Sequence, residues 1–288
     1  MATQTEVRPA PVEVQKQPGG RGPVRRALAK AGPPLAVSLV AVAGWYVVSY
    51  LVLDERRRFL LPPLHAVLAE GFGNPDTRAD LFAGLFETGK VALTGLAVAI
   101  LLGTAGAVAM SRARWVERSL YPWAVVLQTI PVLALIPVIG FWFGFGFPSR
   151  VIVCVLIALF PITTNTLFGL VSAQAGHRDL FQLRRATAWQ RLVHLEIPGA
   201  LPAVLTGWRI AAGLSVIGAI LGDFYFQTGP AGIGRLINGY TQRLQSEELL
   251  AGVLLCSALG LVVFWIFGLL NRLLVSPWHD SGRDQVAE

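Results

Sequence analysis

The sequence predicts an all-α polytopic membrane protein of about six transmembrane helices with both termini cytoplasmic, on three observations. The first is composition: 54% of the 288 residues are hydrophobic and 14% are charged, against about 25% charged in an average soluble domain. The second is the recurrence of apolar runs, since a helix needs about 20 apolar residues to cross the hydrocarbon layer. No formal charge interrupts Ala31 to Leu53, Val91 to Ser111, Ser119 to Ser149, Val151 to Gly176 or Leu249 to Leu270, and Arg209 alone interrupts Ile197 to Gly222. The third is charge asymmetry. With a cytoplasmic N-terminus, six spans place 15 Lys and Arg and 8 acids on that side, against 8 Lys and Arg and 9 acids on the other, as the positive-inside rule requires.

The elements follow in order. Residues 1–34, with "RPAPVEVQKQPGGRGP", carry few large hydrophobes and many Pro, Gly and charges, so a disordered cytoplasmic tail is expected there. A membrane domain is expected over 35–275, its first span near 35–53. "LDERRRF" at Leu53 to Phe59 lies just beyond that span and reads as an interfacial anchor. Between Asp54 and Lys90, "LHAVLAEGF" and "RADLFAGLFETGKVAL" repeat apolar residues every three or four positions, a pattern suited to a surface helix or to a helix leading into the second span, near 91–111. Small residues in "GTAGAVA" there, and in "GWRIAAG" further on, permit close helix approach.

The third span, near 119–146, holds Pro122, Pro131 and Pro137 and ends in "GFWFGFGFP". Proline removes a backbone donor and clashes with the preceding turn, so this span should be broken or kinked. Backbone freed at membrane depth is tolerated only against protein or a water-filled cavity, which makes the third span a candidate for lining a pathway. Spans four, five and six are expected near 151–175, 198–222 and 249–271, with a cytoplasmic tail over 276–288. Cys154 and Cys256 both fall inside spans and imply no disulfide framework.

Several chemistries are absent. There is no GxxxxGK[ST] phosphate loop, no HExxH and no nucleophile elbow, and the four histidines are scattered outside the spans, so no catalytic or metal-binding constellation is expected. Dispersed cations without a folded soluble domain to present them give no nucleic-acid surface. Ion-coupled carriers place carboxylates inside spans despite a cost of about 2.5–3.5 kcal/mol. Here the only ionisable residue well inside a span is Arg209, with Asp223 at the end of the same run.

Between spans four and five, residues 177–197 are polar. Leu180, Leu183, Ala186, Trp189 or Gln190, Val193 and Ile197 recur at three- and four-residue intervals, and Arg184, Arg185 and Arg191 fall off that stripe. The pattern predicts a short amphipathic cytoplasmic helix that stops before Pro198. Pro198 and Pro202 lead straight into span five, joining the loop rigidly to a transmembrane element.

These residues resemble the inner-membrane permeases of binding-protein-dependent ABC importers. Their cytoplasmic signature runs EAA, three residues, Gly, nine residues, I-x-L-P, and "LEIP" at Leu195 to Pro198 is similar to its end. "QTIPVLALIPVIGFWFGFG" at Gln128, "FPITTNTLFGL" at Phe160 and "GDFYFQTGPAGIGRLI" at Gly222 resemble the nitrate/sulfonate/taurine-type subgroup. The resemblance implies a type I importer permease fold in a prokaryotic inner membrane. It also implies an ATPase carrying ATP and Mg²⁺ on a separate subunit, a periplasmic or lipid-anchored solute-binding protein, and a second permease copy. This chain itself would bind no cofactor.

In that family a loop Glu pairs with the ATPase and the Gly eases a bend between two short helices. Counted without gaps, Asp179 takes the Glu position and Arg185 the Gly position; with three residues deleted, Gln182 takes the Glu position. The docking candidates are therefore Asp179, Gln182, Arg185, Ala186, Thr187, Trp189, Leu192 and Pro198. The pathway-lining candidates are Gln128, Pro131, Pro137, Thr164, Asn165, Arg209 and Asp223. A sulfonate, nitrate or taurine-like anion, or a vitamin-precursor-like compound, is the expected solute; an ion-coupled carrier and a non-transporting scaffold are the rivals.

Overall fold

A computed structural model describes the backbone of residues 23–172 and 175–275, with side chains from residue 32 onward except at 175, 178, 182 and 275. Five helices are long and apolar enough to cross a membrane, or six if one bent pair counts as a single span, among the described residues.

The described residues up to Glu55 form a compact unit of their own. Helix α1, Pro23–Val47, continues into a π-helical turn, Val48–Val52. The segment expected to be a disordered tail, 1–34, is therefore helical from Pro23 onward, where "RRALAK" supplies strong helix formers; residues 1–22 and the second tail, 276–288, lie outside the described residues.

The second unit begins at Arg56, within a 3-10 turn, Glu55–Leu60, and goes on to α2, Leu64–Leu68, which runs through a π turn to Gly73. Helix α3, Pro75–Arg112, is 38 residues long, about 57 Å at 1.5 Å per residue. Pro75 occupies its first turn, and the Asn74 side chain accepts the Asp76 N–H at 3.0 Å, a start signal of the usual kind. The amphipathic segment ahead of span two thus leads directly into it.

Helices α4, Arg114–Thr129, and α5, Val132–Phe143, are the broken third span: they meet at 102°. Ile130, forced out of the helical region by the proline after it, sits at φ −67°, ψ 129°. Of the three prolines only Pro131 breaks the chain; Pro122 and Pro137 ride inside helices. Helix α6 spans Phe147–Val171, followed by α7, Ala175–Leu183, and α8, Ala188–Arg191. Helices α9, Ile197–Tyr225, α10, Ile233–Arg243, and α11, Ser246–Val275, complete the described residues. Nothing in the sequence pattern had pointed to α10.

Helices α3, α6 and α9 form the centre of this unit. Cys154 of α6 is where they come closest: a Cβ added to Gly95 of α3 would lie 2.3 Å from its Cβ, and one on Gly218 of α9 would lie 2.9 Å from its Cα. Around it pack Leu96, Ala99, Ala158, Ile162, Ala211 and Val216. Small residues let backbones approach, and within hydrocarbon that packing supplies the attraction that water expulsion supplies elsewhere. Ser215 of α9 donates to the Ala92 carbonyl of α3 at 2.7 Å, a polar tie in the same layer. At one end, Val67, Leu81, Ile233, Ile237, Ala251 and Leu255 join α2, α3, α10 and α11. At the other, Leu170, Leu192 and Ala200 close the bundle beneath α8.

Candidate functional site

The break at Pro131 opens a cavity of about 410 Å³. The end of α4 and start of α5 supply Leu127, Gln128 and Val132; α6 supplies Leu156, Ile157, Phe160, Pro161, Thr164 and Asn165; α9 supplies Ile210 and Leu214. Pro161 sits inside α6, so it offers no N–H to the carbonyl of Ile157 one turn back. Just beyond it, Thr164 Oγ1 donates to the Phe160 carbonyl at 2.9 Å and Asn165 Nδ2 to the Pro161 carbonyl at 2.8 Å. Asn165 is held there by close approach of α9: a Cβ on Gly207 would lie 2.8 Å from Asn165 Cβ and 2.9 Å from the Pro161 oxygen.

The structure therefore brings Gln128, Thr164 and Asn165 to one cavity, with Pro131 forming its hinge. Pro137, Arg209 and Asp223 do not line it. Arg209 is turned onto α11, its guanidinium carbon 3.7 Å from the Phe264 ring centroid, beside Gly268. This cation–π contact is the local partner that hydrocarbon otherwise denies an arginine.

Asp223 is fully buried at the end of the bundle carrying α10. Thr88 Oγ1 donates to it, and Arg150 Nη1 pairs with it at 3.1 Å. The other contacts of Arg150 wrap the segment after α9 around the pair: it donates to the carbonyls of Phe226, Thr228 and Pro230 at 3.0, 2.9 and 3.2 Å. Ile233 N–H donates to Thr88 Oγ1 at 2.8 Å and starts α10 there. Sequence reasoning missed Arg150, which entered only the count of cations on the outer side; its one signal was a cation opening a span, with an acid closing another.

At the opposite end, the stripe read as one helix is two. Helix α7 ends near Leu183, Arg185 takes a left-handed φ of 50°, and Thr187 caps α8 by a reciprocal capping box with Gln190. The bend that a Gly would ease is thus made by an arginine. The expected stop before Pro198 is absent: a π turn, Leu192–Glu196, widens the helix, with Ile197 N–H bonded to the Leu192 carbonyl. Widening takes the carbonyl that the Pro198 ring would strike out of α-helical register, and the helix runs unbroken over Ala188–Tyr225.

Of the docking candidates, Asp179, Arg185 and Thr187 are exposed and Ala186 is half-buried; Trp189 is 71% exposed. The Gln182 side chain lies outside the described residues. Pro198 occupies the first turn of α9. Leu192 is turned inward at 3% exposure, packed with Leu170 and Ala200, so it supports the face from beneath. Glu196, also missed, fastens that face: it pairs with Arg112 at the end of α3 and with Arg191 at 3.1 Å, while Arg112 also donates to the Ala188 carbonyl.

The profile of the family described as "Binding-protein-dependent transport system inner membrane component" matches residues 95–276. The chain is 37% identical to the formylaminopyrimidine transport permease of Halalkalibacterium halodurans over 200 residues, 69% of this chain and 79% of that one. It is 29% identical to a putative aliphatic sulfonates transport permease of Escherichia coli, over 90% of this chain and 96% of the other. Among solved structures, an amino acid ABC transporter superposes with a TM-score of 0.54 at 16% identity, covering 68% of this chain and 95% of that one.

Proposed function

This chain belongs to the family of binding-protein-dependent inner-membrane transport components and is a multi-pass permease subunit of an ABC importer, and from that premise we propose how its parts serve the task. Two copies face each other, and the cavity at Gln128, Thr164 and Asn165 is one half of the solute pathway. The face made by α7 and α8 docks on a separate ATPase, which carries ATP and Mg²⁺. The end carrying α10 faces a solute-binding protein, and both termini are cytoplasmic.

One observation carries this assignment. The helix that begins beside exposed Trp189 continues without a break to Ile210 and Leu214 in the cavity wall. A force applied to α8 is therefore delivered to the pathway rather than absorbed in a loop. Closure of the ATPase pair on ATP draws the two α8 helices together and tilts α9, switching the cavity from inward- to outward-facing. Such a change is driven only if α8 contacts the ATPase differently in the two states. The solute is a small polar molecule, as the names of the two relatives suggest for theirs.

The test is biochemical. Trp189→Asp places a charge on the docking face and should abolish co-purification of the ATPase while leaving the permease monodisperse; a surviving complex would sink the docking assignment. In reconstituted vesicles the wild-type complex should hydrolyse ATP faster when its binding protein is added.

A further inference from the structure

Arg209 lies within span five with its hydrogen bonds unspent. The Phe264 ring faces its guanidinium carbon at 3.7 Å, which supplies a quadrupole but none of the paired oxygens that a guanidinium fork is shaped to hold. Its Nε is buried and makes no hydrogen bond in the protein, and no acid pairs with the group among the described residues. A charged donor left this way in hydrocarbon is costly, so an acceptor brought from outside is strongly favoured.

A groove of about 750 Å³ opens beside it along α11. Gly268 leaves room there: a Cβ added to it would lie 3.6 Å from the guanidinium carbon of Arg209. Arg272, in the last turn of α11, stands one turn beyond Gly268 on the same helix face. It too lines the groove, is exposed, and pairs with no acid among the described residues. No carboxylate lines the groove. From Arg272 toward the middle of α11 the wall is Leu269, Trp265 and Leu261, each more than half exposed on a helix apolar enough to cross a membrane. Ala251 and Leu255, near the start of α11, belong to the α10 end of the bundle, so the two arginines lie toward the opposite end.

We propose that this groove holds an anionic phospholipid, its phosphodiester bridging Arg209 and Arg272 and its acyl chains lying along Leu269, Trp265 and Leu261. Basic pockets between membrane helices take up acidic headgroups in this way. A headgroup ammonium would find no carboxylate in the groove to meet it, whereas a headgroup carrying only its phosphate charge leaves both cations compensated. The apolar wall running toward the middle of the membrane suits acyl chains, so the occupant is a lipid and not a soluble phosphate. The inference goes beyond the pathway and docking assignments and requires neither. Bound there, the lipid ties α11 to α9, the helix that runs on from α8 to Ile210 in the cavity wall.

Tryptophan quenching on the full-length permease in nanodiscs tests this. The signal of Trp265 is isolated as the difference between wild type and Trp265→Phe. Phosphatidylglycerol and phosphatidylcholine, each brominated in the upper acyl chain, are compared at equal low mole fraction in unbrominated phosphatidylcholine. The brominated phosphatidylglycerol should quench Trp265 at fractions where the phosphatidylcholine barely does. Arg272→Gln, at an exposed position, should raise the fraction needed for half-quenching about fivefold, the scale of one basic residue facing acidic lipid. Arg209→Gln should do the same; if that variant fails to fold, Arg272→Gln decides alone. Equal quenching by the two lipids marks ordinary boundary lipid and overturns the proposal, as does a phosphatidylglycerol preference that survives Arg272→Gln. Absence of quenching by either means that a protein segment covers the groove, which overturns it equally.

Discussion

The two ends of the bundle hold their buried carboxylates differently. At the α10 end, Asp223 and Arg150 keep 0% and 4% of their side chains exposed, and the arginine's terminal nitrogens also bind three backbone carbonyls. At the α8 end, Glu196 is equally hidden, but its partners Arg112 and Arg191 keep 27% and 35% of theirs exposed. A fully desolvated pair with both terminal nitrogens of its arginine committed tolerates one geometry, because any opening strands a charge in a low dielectric. A pair whose cations reach water can loosen and re-form cheaply. The α10 end is thus built as a frame, the α8 end as a joint.

Three substitutions put that contrast at risk, in descending size of effect. Asp223→Ala leaves Arg150 buried without its partner and should cost about 3–5 kcal/mol, read as a large fall in the thermal midpoint of the detergent-solubilised protein. A loss no larger than at the other end would remove the distinction. Glu196→Gln keeps shape and removes charge where the cations are half in water, so about 1–2 kcal/mol is expected. Its clearer mark should be looser coupling, seen as ATP hydrolysis less dependent on binding protein with ATPase association intact. Arg185→Gly should stabilise the bend by about 0.5–1 kcal/mol, since a left-handed φ costs an L side chain more than glycine loses in chain entropy. Slower amide exchange at Ala186 to Gln190 would register it; faster exchange would show that the arginine side chain holds the turn.

Much of this was legible in the sequence. Charge-free runs reveal spans because hydrocarbon refuses charge, and the three prolines of the third span announced a break without telling which of them makes it, since Pro122 and Pro137 ride inside helices all the same. The grouping of Gln128, Thr164 and Asn165 was approachable because uncharged polar residues beside prolines at membrane depth need a cavity. The Asp223–Arg150 pair was not, since 73 residues separate the partners and each alone looks like an ordinary charge at a span end. The orientation of Leu192 was hidden for another reason. A periodic stripe assumes 3.6 residues per turn, and the π turn alters the count where the stripe seemed to continue. The Thr187–Gln190 capping box was visible as T-x-x-Q and would have divided α7 from α8.

That π turn sets a direction as well as a connection. Each residue advances an α-helix by about 100°, so the extra residue accommodated at Leu192–Glu196 sets the angular phase between the Trp189 face and the wall at Ile210 and Leu214. Insertion of a single residue there would leave every existing side chain in place yet turn the Trp189 face by about 100° relative to the cavity wall. The length of this short segment accordingly matters more to that phase than the identity of most residues in it.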